Sequence, residues 1–155
     1  MRLPSTVRAN LLLKTITTLR IPLIAFLAPR VTQYDDERVV LRIRLCRRTR
    51  NHVGSMYVGA LCTGADCAGG MLAMDLAWQH RGRVKVLFKD MKAEFLRRAD
   101  GHVDFTCEDG RKIRAAVEAA VRSGERHETP VNVLASVQGT PVARFEMLLS
   151  ARVTA

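Results

Sequence analysis

The chain has 155 residues, 48% of them hydrophobic and 26% charged, which is the balance of one folded domain and excludes a largely disordered chain. Lys and Arg number 25 against 15 Asp and Glu, a formal charge of +10, so the surface field favours anionic partners: nucleic acid, phosphorylated cofactors or acidic membranes. The four cysteines, Cys46, Cys62, Cys67 and Cys107, form no C-x-x-C pair and have no His partners at zinc-ligand intervals, so no metal site is expected. Cys62 and Cys67 read as small hydrophobes of an apolar helix, and a reducing cytoplasm is the expected location.

From Ser5 to about Arg20, Val7, Leu11, Leu12, Ile16 and Leu19 fall near helical spacing, with Ser5 as a possible N-cap, which predicts an N-terminal amphipathic helix closed by Pro22. Arg2 and Arg8 ahead of the apolar run Ile21 to Ala28 imitate a secretory signal poorly, because Lys14 and Arg20 interrupt the stretch, Pro22 begins the run and Pro29 follows Ala28 where a cleavage site would lie. Val31 to Cys46 turns extended. An acidic turn at Asp35, Asp36 and Glu37 separates two strands, the second with Val39, Leu41, Ile43 and Leu45 on one side. The cluster Arg42, Arg44, Arg47, Arg48 and Arg50 partly alternates with these apolar residues and carries no interleaved aromatics, so it reads as a solvated face and not as a nucleic-acid patch.

Ser55 to Trp78 is dominated by Gly, Ala, Cys, Met and Leu, with Asp66 and Asp75 its only charges. A helix apolar on nearly every side has to be buried. Its length would suit a membrane span, but its glycines and mid-span carboxylate favour a core helix wrapped by the rest of the domain. Val84 to Leu96 follows as a long strand whose alternation changes parity near Lys89 and Asp90, which predicts a β-bulge. Val103, Phe105 and Cys107 mark another strand, Arg111 to Ser123 a helix ended by Gly124, and Val131 to Gln138 and Val142 to Ala151 a closing hairpin turned at Gly139 and Pro141. The fold class is α+β: a mainly antiparallel sheet around a long central helix, with an extra N-terminal helix.

The stretch Asn51-His52-Val53-Gly54-Ser55-Met56-Tyr57-Val58-Gly59, continuing to Ala65-Asp66-Cys67-Ala68-Gly69-Gly70, resembles the helix-start motif of hotdog-fold acyl-CoA thioesterases, most closely the DUF4442 branch near the PaaI-like thioesterases. Asn51, Gly54, Gly59 and Asp66 match the pattern, and Asp90 to Ala99 is similar to the strand that follows it in the family. The resemblance covers the chain from about Ile21 onward and implies a single hotdog domain over residues 1–155, with 1–28 a helical segment and 29–155 the core. Two departures stand out. Tyr57-Val58-Gly59 replaces the His-Gly-Gly of many relatives, and the position of a family Ser or Thr falls at Phe88 or Lys89, which carry no hydroxyl.

Thioester hydrolysis needs a nucleophile or general base, a donor for the developing oxyanion and a dry groove. Asp66 has Cys62, Thr63, Gly69 and Gly70 at helical-neighbour positions, so no cation on its own helix neutralises it. It serves either as nucleophile or as base, or else bonds a backbone group at a subunit contact. The backbone N–H groups of Val58 and Gly59 sit at the unsatisfied positive end of the helix. Asn51 is a positioning group or a turn residue, and Tyr57, Gly54, Thr63, Phe88 and Lys89 are candidate groove residues. Val58 and Asp66 are eight residues apart, about 12 Å at about 1.5 Å per residue, so one carbonyl reaches both only if two copies of the helix contribute. The resemblance implies the same: a homodimer with two composite sites, with a dimer of dimers also open, acting without cofactor on acyl-CoA or acyl-carrier protein. A non-catalytic acyl-binding or assembly module of the same fold is the alternative. Neither a specific nucleic-acid partner nor a membrane span is expected.

Overall fold

The computed structural model describes residues 5–81 and 83–154. Two helices open the chain, α1 (Ser5–Arg20) and α2 (Pro22–Leu27), followed by β1 (Arg30–Tyr34), β2 (Val39–Ile43) and the 22-residue α3 (Val58–Gln79). Next come β3 (Val84–Phe95), β4 (Val103–Cys107), α4 (Gly110–Ser123), β5 (His127–Val137) and β6 (Thr140–Val153). The strands form one six-stranded sheet in the order β1-β2-β4-β5-β6-β3, with every neighbouring pair antiparallel. The sheet wraps α3, which packs on β2, β3, β4 and β5. This is the hotdog architecture.

Apolar alternation explains the sheet's inner face. Val39, Leu41 and Ile43 of β2, Val103, Phe105 and Cys107 of β4, and Val131, Val133 and Ala135 of β5 are all buried. Residues of α1 and α2, namely Ala9, Leu13, Ile24 and Leu27, belong to the same core cluster. On α4 the stripe Ile113, Ala116, Val117 and Ala120 is buried, while Val121 lies at its margin, 39% exposed. Among the described residues no helix is long and apolar enough to cross a membrane, which disposes of the membrane-span alternative for α3.

Several expectations meet their structure directly. The parity change in β3 is a register shift against β6 between Phe88 and Asp90. Gly124, in the left-handed region at φ 73°, ends α4. The β5–β6 turn places Gln138 and Gly139 at positive φ, whereas Pro141 lies inside β6. Two expectations change. Pro22 not only ends α1 but starts α2, because a proline at the first helical position lacks only an N–H that would have had no partner. β5 begins at His127, four residues before Val131, since β6 is long enough to pair with it from Ala151 onward.

The small residues of α3 set how closely the sheet approaches. A Cβ at Gly64 would collide with the ring of Phe105, which is fully buried, whereas one at Gly70 would meet the Phe88 ring at an ordinary 3.7 Å. Gly64→Ala is therefore expected to destabilise by about 1–3 kcal/mol through overpacking, lowering Tm by several degrees. Gly70→Ala should hold or raise Tm, because helix propensity favours Ala by about 1 kcal/mol. Thermal unfolding of the two variants checks this, and equal shifts would refute the packing argument.

Candidate active site

The segment that leads into α3 is built by local hydrogen bonds. Asn51 Oδ1 accepts from the amides of Val53 (3.0 Å) and Ser55 (3.1 Å), and its Nδ2 donates to Ser55 Oγ at 3.3 Å. Gly54 sits at φ 88°, where a side chain would be strained. Tyr57 N–H donates to Thr49 C=O (2.8 Å), and Met56 N–H donates to Ala99 C=O (2.9 Å), which anchors the segment to the sheet. Asn51 thus acts as the organising residue of the turn, with one side of its amide still available.

Tyr57 then caps α3 without any side-chain hydrogen bond. Its carbonyl accepts from Ala60 and Leu61, which leaves the amides of Val58 and Gly59 as the free donors of the first turn. The Tyr57 ring, 55% exposed, lies over Gly59, where a Cβ would press against it. It is a surface lid over the helix start and not a satisfied core aromatic. Thr63 spends its hydroxyl on Gly59 C=O at 2.8 Å.

Asp66 stands on another wall. A cavity of about 260 Å³ lies between α1, α2, α3 and β3, bounded by Leu12, Ile16, Ile24, Met71, Val86 and Phe88 among others, and Asp66 is its only charged lining residue. Asp66 is half-buried and, among the described residues, makes no hydrogen bond and no ion pair. Burial alone pushes its carboxyl above the ordinary carboxylate range, with no cation to pull it back. Burial and the Asp66 charge push the neighbouring Cys67 thiol up strongly, and burial raises Cys62, so neither is a thiolate nucleophile at neutral pH.

The expected residues thus fall into two groups along α3. Asn51, Gly54, Tyr57, Val58, Gly59 and Thr63 gather at its start, and Asp66 and Phe88 share the cavity further along. One chain does not bring the groups together. Lys89 belongs to neither: it is the bulged residue of β3, and its ammonium pairs with Glu128 at 2.6 Å. The reading missed the cavity's far wall, supplied by Leu12, Leu13, Ile16 and Thr17 of α1 and by Ile21 and Ile24. Of the apolar stripe expected in the N-terminal helix only Leu12 and Ile16 face the cavity; Val7, Leu11 and Leu19 are exposed, and Ala9, Leu13 and Thr17 take the buried side. Many basic residues outside this site are engaged with acids: Arg98 with Asp100, Arg111 with Glu37, Lys112 with Asp109 and Arg114 with Asp36. Among the described residues no group of three or more potential metal ligands occurs.

The fold is that of a hotdog domain, and the comparisons give its family. The chain belongs to the DUF4442 family: that family model, described as a domain of unknown function, matches residues 9–150. A Pseudomonas aeruginosa protein of unknown function, described as a candidate thioesterase, has a TM-score of 0.76 at 27% identity, with 99% of each chain covered. A Shewanella oneidensis protein, also described as a candidate thioesterase, has a TM-score of 0.80 at 13% identity, covering 94% of this chain and 99% of its own. A variant of a Pseudomonas aeruginosa thioesterase has a TM-score of 0.67 at 18% identity, covering 99% of this chain and 97% of its own. The last two establish a shared fold. Curated proteins yield no match.

The raised Asp66 carboxyl has a consequence for stability. Above the unfolded-state value, near 3.8, the folded protein has to ionise a desolvated group, which costs free energy; below it both states are protonated and the cost vanishes. Asp66→Asn should therefore raise Tm at neutral pH, and the gain should fade as pH falls through the raised folded value toward 3.8. Melting curves of both proteins across acid and neutral pH test this, and a lower Tm for the variant at neutral pH would overturn it.

Proposed function

We propose that the protein is a cytoplasmic acyl thioester hydrolase, acting on acyl-CoA or acyl-carrier protein, whose sites are completed across a homodimer. The observation that carries this reading is the unpaired, half-buried Asp66 on the wall of an apolar cavity. The thioesterase descriptions of proteins similar in fold support it. The acyl chain lies in the cavity, and the free amides of Val58 and Gly59 from the other protomer receive the carbonyl oxygen as it gains charge. As a base, Asp66 takes a proton from water while the water oxygen bonds to the carbonyl carbon. The C–S bond then breaks and the departing thiolate takes the proton, leaving a carboxylic acid and a thiol. As a nucleophile, the Asp66 carboxylate instead bonds to the carbonyl carbon as the C–S bond breaks and the thiolate leaves; water then cleaves the anhydride, which returns the carboxylate, releases the acid and supplies the thiolate's proton. Asn51 orients the carbonyl or water through its remaining amide hydrogen.

The dimer is supported by β3, a 12-residue strand at the sheet's edge that exposes Leu87 and Phe95. So long an edge strand offers a row of backbone donors and acceptors to a second copy of the chain. Joining two such edges would extend one sheet through both protomers and set the two α3 helices side by side. The four cysteines are free thiols, which suits a reducing compartment. We take residues 1–155 as one domain, since α1 and α2 share its core. The alternative reading, an acyl-binding module without turnover, draws on Phe88 and Lys89, which supply no hydroxyl beside Asp66.

An acyl-CoA panel followed by free-thiol release should reveal turnover in the wild type. Asp66→Asn should lower kcat by about 10²–10⁴-fold, the usual range for a positioned acid–base group. The wild-type rate should fall in acid as Asp66 is protonated, at a pH above the ordinary carboxylate range. Saturable acyl-CoA binding without thiol release would favour the alternative, and unchanged turnover in Asp66→Asn would remove Asp66 from the mechanism.

A further inference from the structure

We propose that the corner formed by α1 and α2 is a docking surface for an anionic lipid bilayer. At this corner the chain exposes large apolar side chains: Leu19 is 76% exposed, Leu23 64%, Phe26 53% and Ile21 41%. Aliphatic and aromatic side chains grouped on a short stretch of two joined helices form a patch that water solvates poorly. Along the chain the charge here is of one sign: residues 1–34 include five basic side chains and no acid, and residues 38–65 six arginines and no acid. Of these, Arg8 lies in the cleft with Asp35 and Asp36, and Arg38 pairs with Glu108, so the cations left for the corner are those of the turn after β2.

The structure brings the two segments together. Arg48 Cζ lies 5.7 Å from the centroid of the Phe26 ring, so the arginine-rich turn after β2 sits against α2. Arg44, Arg47, Arg48 and Arg50 have no ion-pair partner among the described residues, unlike Arg42, which is held by Asp104 at 2.7 Å. Acids near the helices lie elsewhere. Asp35, Asp36 and Asp75 share a cleft with the N-terminal part of α1, Ser5 to Thr15, and Asp66 lies on the cavity wall behind the corner. Apolar side chains that enter the headgroup boundary, ringed by arginines that stay with the phosphates, are the arrangement of an interfacial anchor. A nucleic acid would use the charge and leave Leu19 and Leu23 in water, whereas a bilayer uses both.

This inference stands apart from the thioesterase reading, because the vesicle measurement needs no turnover. The full chain is sedimented with vesicles of phosphatidylcholine alone and with vesicles of equal parts phosphatidylcholine and phosphatidylglycerol, at low and high salt. The expected result is pelleting with the anionic vesicles only, released by salt. Arg47→Gln with Arg48→Gln should weaken partitioning about thirtyfold, and Leu19→Glu with Leu23→Glu should abolish it. Neither pair lines the cavity, so turnover of a soluble short-chain acyl-CoA and Tm should be unchanged in both. If the Glu pair fails to fold, the Gln pair decides. Equal pelleting with both vesicle types, pelleting with neither, or pelleting unchanged in the variants would overturn the proposal. So would dissociation of a solution dimer by the Glu pair, which would assign this face to a second copy of the chain.

Discussion

The fold depends on the burial of α3. A 22-residue helix in which Ala60, Leu61, Ala65, Cys67, Ala68, Met71 and Leu72 are all buried leaves only a half-exposed stripe through Cys62, Thr63, Asp66, Gly70 and Met74, so a flat sheet against one side cannot satisfy it. The sheet has to curve, and strands of 11, 12 and 14 residues in β5, β3 and β6 supply the span. The small residues of α3 let the curve tighten, as the contact of Gly64 with Phe105 shows. Where the strands do not reach, α1 and α2 close the remaining side, which is why their buried residues belong to the same core.

A carboxylate in such a helix works against this constraint. Burying Asp66 without a partner costs stability at neutral pH, and an apolar residue would fill the position at less expense. The neighbours sharpen the contrast. Asp75, the other acid of α3, accepts a hydrogen bond from Tyr34 at 2.9 Å, and Thr63 satisfies its hydroxyl within the helix. Asp66 is the half-buried carboxylate of this helix without a protein partner among the described residues, and it opens onto the cavity shared with α1, α2 and β3. Structural economy explains Asp75 and Thr63. It does not explain Asp66.

Local periodicity made much of the fold legible in the sequence. The parity change at Lys89 and Asp90 is a property of adjacent residues, so the bulge in β3 could be placed before any partner strand was known. The apolar character of α3 gave its extent within a few residues at its start. What failed depended on context. Pro22 carries the same sequence signal whether it ends one helix or begins the next, and only packing of Ile24 and Leu27 into the core distinguishes the two. In the site, the lack of a cation beside Asp66 along α3 was readable from the sequence, but the cavity beside it was not, since Leu12, Leu13, Ile16 and Thr17 of its wall come from a helix some fifty residues earlier. Likewise the partners of Arg111 and Arg114 lie far away in sequence, on the turn at Asp36 and Glu37 that the fold brings against α4.

The N-terminal helices therefore cannot be treated as an appendage to the hotdog core. Leu12, Leu13, Ile16 and Thr17 on one side of α1 complete the wall opposite Asp66, while Leu11 and Leu19 turn outward. A helix with apolar residues on both its inner and outer sides is costly in water unless each side has a use. The inner side has one in the cavity, where it forms the wall opposite a carboxyl that burial raises above its ordinary value. The outer face of the same helix is continuous with the corner at Ile21, a residue that both lines the cavity and remains 41% exposed.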